Sequence, residues 1–204
     1  MKKYGIFKSK TEMIVCITLF LLFIIGFIYF GTKDYSVEKI SDSEKFVSEH
    51  KEVVSDNVFT YINCSDAYTY IKKDKVLVLV GVRNSDWVGY YANILNEVAK
   101  EVGISQIYYY DITDDRKEAN GTYESIVQYL KDYVTYLDDG KANLYGPTLI
   151  VKKDGVITYF DDETALVKGN MTAKNYWSNY QINLKKATLT RVLKDYLGVN
   201  DGEE

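Results

Sequence analysis

The residues able to do chemistry in this chain are few: two cysteines, Cys16 and Cys64, one histidine, His50, and a polar corner, Arg83-Asn84-Ser85-Asp86. Cys16 lies in an apolar N-terminal run and Cys64 far from it, so an intradomain disulfide between them is implausible, and a count of two cysteines excludes a disulfide scaffold and a Cys-rich zinc site. The neighbours of Cys64 are Asn63, Ser65 and Asp66. None is a cation that would lower a thiol pKa, so Cys64 reads as an inert cysteine, with a working monothiol as the alternative. His50 stands alone in a charged stretch and reads as a solvated stalk histidine. Ser85 therefore lacks a histidine base for nucleophilic catalysis. No cofactor or metal is called for.

The elements that must position the corner are plain. Val76 to Val80 is a short, continuous, β-branched apolar run, the mark of a strand buried on both faces. After the corner, Tyr91, Leu95, Val98, Ala99 and Val102 recur at the spacing of one helix face. A buried strand, a polar turn and an amphipathic helix present unpaired N–H groups at the helix start.

Upstream, Met13 to Phe30 is almost wholly apolar, preceded by Lys2, Lys3, Lys8 and Lys10 and followed by Lys33. A run of this length suits a membrane-spanning helix, and the bulky Phe27-Ile28-Tyr29-Phe30 stands where a cleaved signal peptide has small residues. Cys16 at the start of the run speaks against a lipoprotein anchor. The lysine excess before the span places the N-terminus in the cytoplasm. The expected organisation is a cytoplasmic N-terminus over 1–12, an anchor over 13–31, a polar stalk over 32–57, a domain over 58–198 and an acidic tail over 199–204. The expected location is the cell membrane, single-pass, with the domain outside. A net charge of −4 and a sequence pI of about 5.2 give no nucleic-acid footprint. The twenty tyrosines are scattered through helical and strand segments and read as core and rim residues.

Within the domain, strands are expected at Val58 to Ile62, Val76 to Val82 and Gln106 to Asp111. Helices are expected from Ser65 to about Lys72, from the corner to Val102 with Gly103 as its cap, and from Thr122 to Leu137 after a charged loop over Asp114 to Gly121. Pro147, the only proline, precedes an apolar strand. Lys153-Asp154-Gly155 then turns the chain into a hairpin partner, Val156 to Phe160. A polar excursion over Gly169 to Asn183 leads to a closing helix with Leu189, Val192, Leu193, Tyr196 and Leu197 inside. The order β-α-β-α-β-α-β-β-α asks for an α/β fold with a mixed sheet and helices on both faces.

That order, with VLVLVGVRNSDWVGYYANILNEVAKE and YGPTLIVKKDGVITYF, resembles the thioredoxin fold over about residues 58 to 198. Among thioredoxin-like groups it is similar to membrane-anchored accessory proteins of Gram-positive bacteria, including bacteriocin transport accessory proteins. The resemblance implies a three-layer α/β/α sandwich, and it lines Ser85-Asp86-Trp87-Val88 up against the family's Cys-x-x-Cys pair. Neither Ser85 nor Val88 can form or resolve a disulfide. Leu79 stands where many of these enzymes bury a carboxylate. What the resemblance leaves is binding. It implies a cis Pro147 facing the corner and an extended protein or peptide segment captured beside Gly146, Pro147 and Thr148, opposite Trp87 and Tyr90. The alternatives are a retained turn with no ligand and an oxidoreductase acting through Cys64. Tyr176-Trp177-Ser178-Asn179-Tyr180 is a second candidate surface, or else tucked against the sheet.

Overall fold

A computed structural model describes residues 10–31, 40–118, 120–136, 140–167 and 169–199. The chain divides into two units, residues 1–39 and 40–204. In the first, helix α1 runs Lys10–Gly31. Its described side chains from Met13 to Ile24 are exposed. Among the described residues no helix is long and apolar enough to cross a membrane. The side chains of 25–31 and all of 32–39 lie outside the described residues, and so therefore does part of the expected anchor. The expected cytoplasmic N-terminus, apart from Lys10 to Glu12, and the acidic tail, apart from Val199, also lie outside them.

The second unit holds α2 (Asp42–Glu49), β1 (Phe59–Tyr61), α3 (Cys64–Tyr70), β2 (Val76–Gly81), α4 (Asp86–Glu101), β3 (Ile107–Asp111), α5 (Thr113–Lys117), α6 (Gly121–Tyr129), β4 (Thr148–Lys153), β5 (Val156–Asp161), α7 (Ala173–Tyr176) and α8 (Asn179–Leu197). A single 3-10 turn, Glu163–Leu166, follows β5. The sheet order is β1-β3-β2-β4-β5. β1, β3 and β2 are parallel, whereas β4 is antiparallel to β2 and β5 to β4. The fold is α/β with a mixed sheet.

All six residues of β2 are buried, as a central strand covered on both faces requires. The period-2 alternation sorts its side chains. Leu77 and Leu79 join Tyr109, Leu149, α4 and α8 in one core, while Val76, Val78 and Val80 join Tyr110, Ile150, α3 and α6 in the other. The hairpin turns at Asp154 and Gly155, both with positive φ, 53° and 80°. Two successive left-handed residues match the strand twist, which is why an Asp-Gly pair sits there.

Four expectations are corrected. The stalk expected over 32–57 does not hold for its second half. Residues 41 to 57 belong to the domain: α2 starts with a capping box between Ser41 and Glu44 and buries Phe46 completely, and Val53 also enters the core. The charged loop contains the short helix α5. The helix expected to reach Leu137 stops at Tyr129, although Leu130 and Val134 remain buried. Beyond it the Tyr133 amide donates to the Leu130 carbonyl at 2.9 Å, and the Thr135 amide donates to the Asp162 carboxylate at 2.8 Å. In the excursion, the closing helix starts earlier than expected, at Asn179, with Ser178 capping it.

Candidate functional site

β2 ends at Gly81, and the chain then turns over Val82 to Ser85 into α4. Asn84 makes the turn at φ 58°, a conformation that asparagine tolerates better than most residues. Arg83 anchors it. Its guanidinium pairs with Asp111 at 3.1 Å and with Asp114, and its amide donates to Asp111 Oδ1 at 3.3 Å and Thr113 Oγ1 at 3.1 Å. Those carboxylates hold the Arg83 pKa above its ordinary range, the Asp114 hydrogen bond being the main cause. Ser85 is the N-cap of α4, but its hydroxyl accepts no hydrogen bond from the helix. The first-turn amides, with Asp86 among them, thus have no side-chain cap at this position.

The four residues expected at the corner behave differently. Ser85 and Trp87 are half-buried, Asp86 is exposed, and Val88 is fully buried in the core. Trp87 leans on Tyr176 of α7, with ring centroids 5.5 Å apart. Tyr90 is half-buried against the same core. Glu49, Lys51, Glu52, Asn84, Ser85 and Asp86 line a surface pocket beside the turn.

The proline loop lies next to this turn. The Gly146–Pro147 bond is cis, Gly146 is half-buried, and Pro147 and Thr148 are buried. Thr148 pairs with Val80 across the sheet and donates its hydroxyl to the Tyr145 carbonyl at 2.6 Å. A β-carbon built on Gly146 would lie 2.9 Å from the backbone of Gly81 and Val82. Only glycine allows that approach. The structure thus joins Gly146 to the residues leading into the corner, while Trp87 turns toward α7. Of the excursion aromatics, Trp177 is buried, Tyr176 is half-buried and Tyr180 is 73% exposed.

Cys64 lies on the other side of the sheet, in the core formed with α3 and α6. It is 8% exposed, and burial pushes its thiol pKa up, against a smaller opposing effect of the Tyr110 hydroxyl. A raised thiol pKa means less thiolate at neutral pH. Leu79 is fully buried among apolar neighbours. Among the described residues no group of three or more His, Cys, Asp or Glu side chains is placed to hold a metal.

His50 is the largest departure from the sequence reading. It is 1% exposed, not solvated, and its Nε2 lies 3.0 Å from the Tyr109 hydroxyl. Phe46 packs on its ring at a centroid distance of 4.6 Å. Burial lowers its pKa, while Glu49, the Ser85 backbone and Asp111 act the other way. The available signal was the i, i+4 pair Phe46 and His50 followed by Val53, a narrow helical face inside a charged stretch.

A second buried cluster was also missed. Lys185 of α8 pairs with Asp161 of β5 at 2.8 Å and with Glu163 at 2.8 Å. Tyr91 and Tyr159 both donate to Asp161 Oδ2, at 2.7 and 2.9 Å. Nothing in the local pattern around either charge announces its partner 24 residues away.

No protein-family profile matches the chain, and no curated protein sequence matches it.

Proposed function

We propose that the chain is a thioredoxin-like domain without dithiol chemistry, held at the outer face of a cell membrane by the segment over 13–31, and that it binds an extended protein or peptide segment at the proline loop. It acts as an accessory factor in secretion, folding or envelope assembly. The observation that carries this reading is the joining of two parts: the strand order β1-β3-β2-β4-β5, and Gly146 seated on Gly81 and Val82 beside a corner made of Ser85, Asp86, Trp87 and Val88. A serine hydroxyl and a valine side chain cannot exchange disulfides, so main-chain and aromatic groups are what the corner offers a partner. The uncapped amides at the start of α4 add hydrogen-bond donors on the same side. The apolar run Met13 to Phe30 with its preceding lysines supports the anchor.

Two measurements test it. Partner capture from solubilised membranes should be lost with Gly146→Asp. Unchanged capture by a variant that still melts cooperatively places binding elsewhere. Insulin reduction by the wild-type chain should stay at the uncatalysed rate. Reduction that disappears with Cys64→Ser would make the protein a monothiol oxidoreductase instead.

A further inference from the structure

A buried imidazole with one nitrogen left over is an unstable arrangement toward acid. His50 Nε2 and the Tyr109 hydroxyl share one hydrogen bond, and His50 Nδ1 is buried without a partner. Nε2 pairs with Tyr109 in either neutral tautomer, and Nδ1 faces the Ser85 main chain without a hydrogen bond of its own. When the ring takes up a proton both nitrogens carry hydrogen, and the charge is buried with no hydrogen-bonded acceptor at Nδ1. The groups facing the ring are Glu49 on its own helix, Tyr109 and Asp111 on β3, and the Ser85 backbone at the corner; Tyr61 of β1 packs edge-on against Tyr109. The two carboxylates are already engaged. Glu49 accepts from the Tyr61 hydroxyl at 2.6 Å, and Asp111 holds Arg83 at 3.1 Å.

What the ring holds down is small. α2 is eight residues long, and Phe46 is its one fully buried side chain. Just past it, His50 closes the helix, its amide donating to the Phe46 carbonyl at 2.8 Å. On the sheet side, the Tyr109 ring crosses Gly81 so closely that a β-carbon there would lie 2.4 Å from it. Gly146 rests on the same Gly81. One continuous set of contacts therefore runs from His50 through Tyr109 and Gly81 to the proline loop.

We propose that His50 is a protonation latch: neutral, it clips α2 to the sheet beneath the Ser85 corner, and protonated, it lets α2 come away. Release frees the Tyr109 hydroxyl and uncovers the side of the sheet next to the corner. The latch is independent of what binds at the proline loop.

The sign follows from linkage. Burial holds the folded-state pKa below the ordinary value of 6.5, so the closed form binds fewer protons than the open one. Closure is at full strength above that ordinary value and weakens as pH falls through the window down to the folded-state pKa. Within the window the opening equilibrium rises by up to about tenfold per pH unit.

The chain has a single histidine, so its imidazole resonances need no assignment by mutation. The experiment uses the full-length protein in detergent micelles. The His50 ring is titrated by NMR from pH 8 to pH 4.5, and amide hydrogen exchange over residues 42 to 61 is compared at pH 7.5 and 5.5 after correction for the intrinsic rate. Expected are a titration midpoint below 6.5 and severalfold faster corrected exchange over 42 to 53 at pH 5.5, with the acid-induced increase absent in His50→Phe. A midpoint at or above 6.5, unchanged protection in acid, or the same increase in His50→Phe would each overturn the latch. If His50→Phe does not fold, the wild-type titration and exchange decide it alone.

Discussion

The corner at the start of α4 and the start of α8 are built from similar parts, and they finish them differently. Both begin at a serine N-cap, and both lie beside a buried ionisable side chain. At α8 the parts are completed: Ser178 accepts from the Gln181 amide, and Lys185 meets two carboxylates, one of them also holding two tyrosine hydroxyls. The indole N–H of Trp177 is the exception there. At the corner the parts are left open. Ser85 caps nothing, and His50 keeps a buried nitrogen without a partner. A completed polar network fixes one arrangement, whereas an incomplete one costs stability and leaves groups available for something else. On this comparison α8 with β5 is the frame, and the corner with α2 is the part that responds.

The largest effect should come from opening the completed cluster. Lys185→Met leaves Asp161, 5% exposed, without its cation and should cost about 3–5 kcal/mol in urea unfolding. Adding Asp161→Leu removes the stranded charge but strands the Tyr91 and Tyr159 hydroxyls, at about 1–3 kcal/mol each, so the double variant should recover only in part. A double variant as stable as wild type would mean that the tyrosines find other partners and that the cluster is less integrated than described.

Next come changes at the contact between latch and corner. Gly81→Ala places a β-carbon against the Tyr109 ring and should cost about 1–3 kcal/mol by overpacking. Tyr109→Phe takes away the one described hydrogen bond of the His50 ring and should cost a similar amount, about 1–3 kcal/mol at pH 7.5. The two residues touch, so the double variant should depart from additivity. Additive losses, measured by the same unfolding curves, would show that Tyr109 does not couple the latch to Gly81.

Both regions were legible only in part, and the strand-and-turn scaffold that carries them was the legible part. Val76 to Val80 has the continuous apolar run of a central strand. Lys153-Asp154-Gly155 carries its turn type in its residues, and Gly103 and Gly198 mark helix ends with φ of 87° and 77°. Each of these signals is local. What escaped is non-local. Phe46 and His50 sit among serines, glutamates and lysines, and aromatic rings outside that stretch, those of Phe59, Tyr61 and Tyr109, turn it into core. Asp161 and Lys185 each look like surface charges until the β5–α8 packing brings them together. The same holds for Gly89, whose missing side chain matters because the Glu52 carboxylate lies over it. Residue types and spacing located the corner and the proline loop. Their one sign that a helix upstream of the domain's first strand closes over one side of it was the narrow face of Phe46, His50 and Val53.

The smallest effects give the cleanest test of the comparison, because they use one substitution at two equivalent places. Ser178→Ala removes a cap that accepts from the Gln181 amide at 3.4 Å and should cost about 1 kcal/mol, as lost serine caps commonly do. Ser85→Ala removes a half-buried hydroxyl that makes no cap bond, so it should change stability by less than about 0.5 kcal/mol. Both are read as shifts in the urea midpoint at constant slope. Equal losses would mean that Ser85 caps α4 in solution. The corner would then be as complete as the start of α8, and its free amides would no longer be available to a partner.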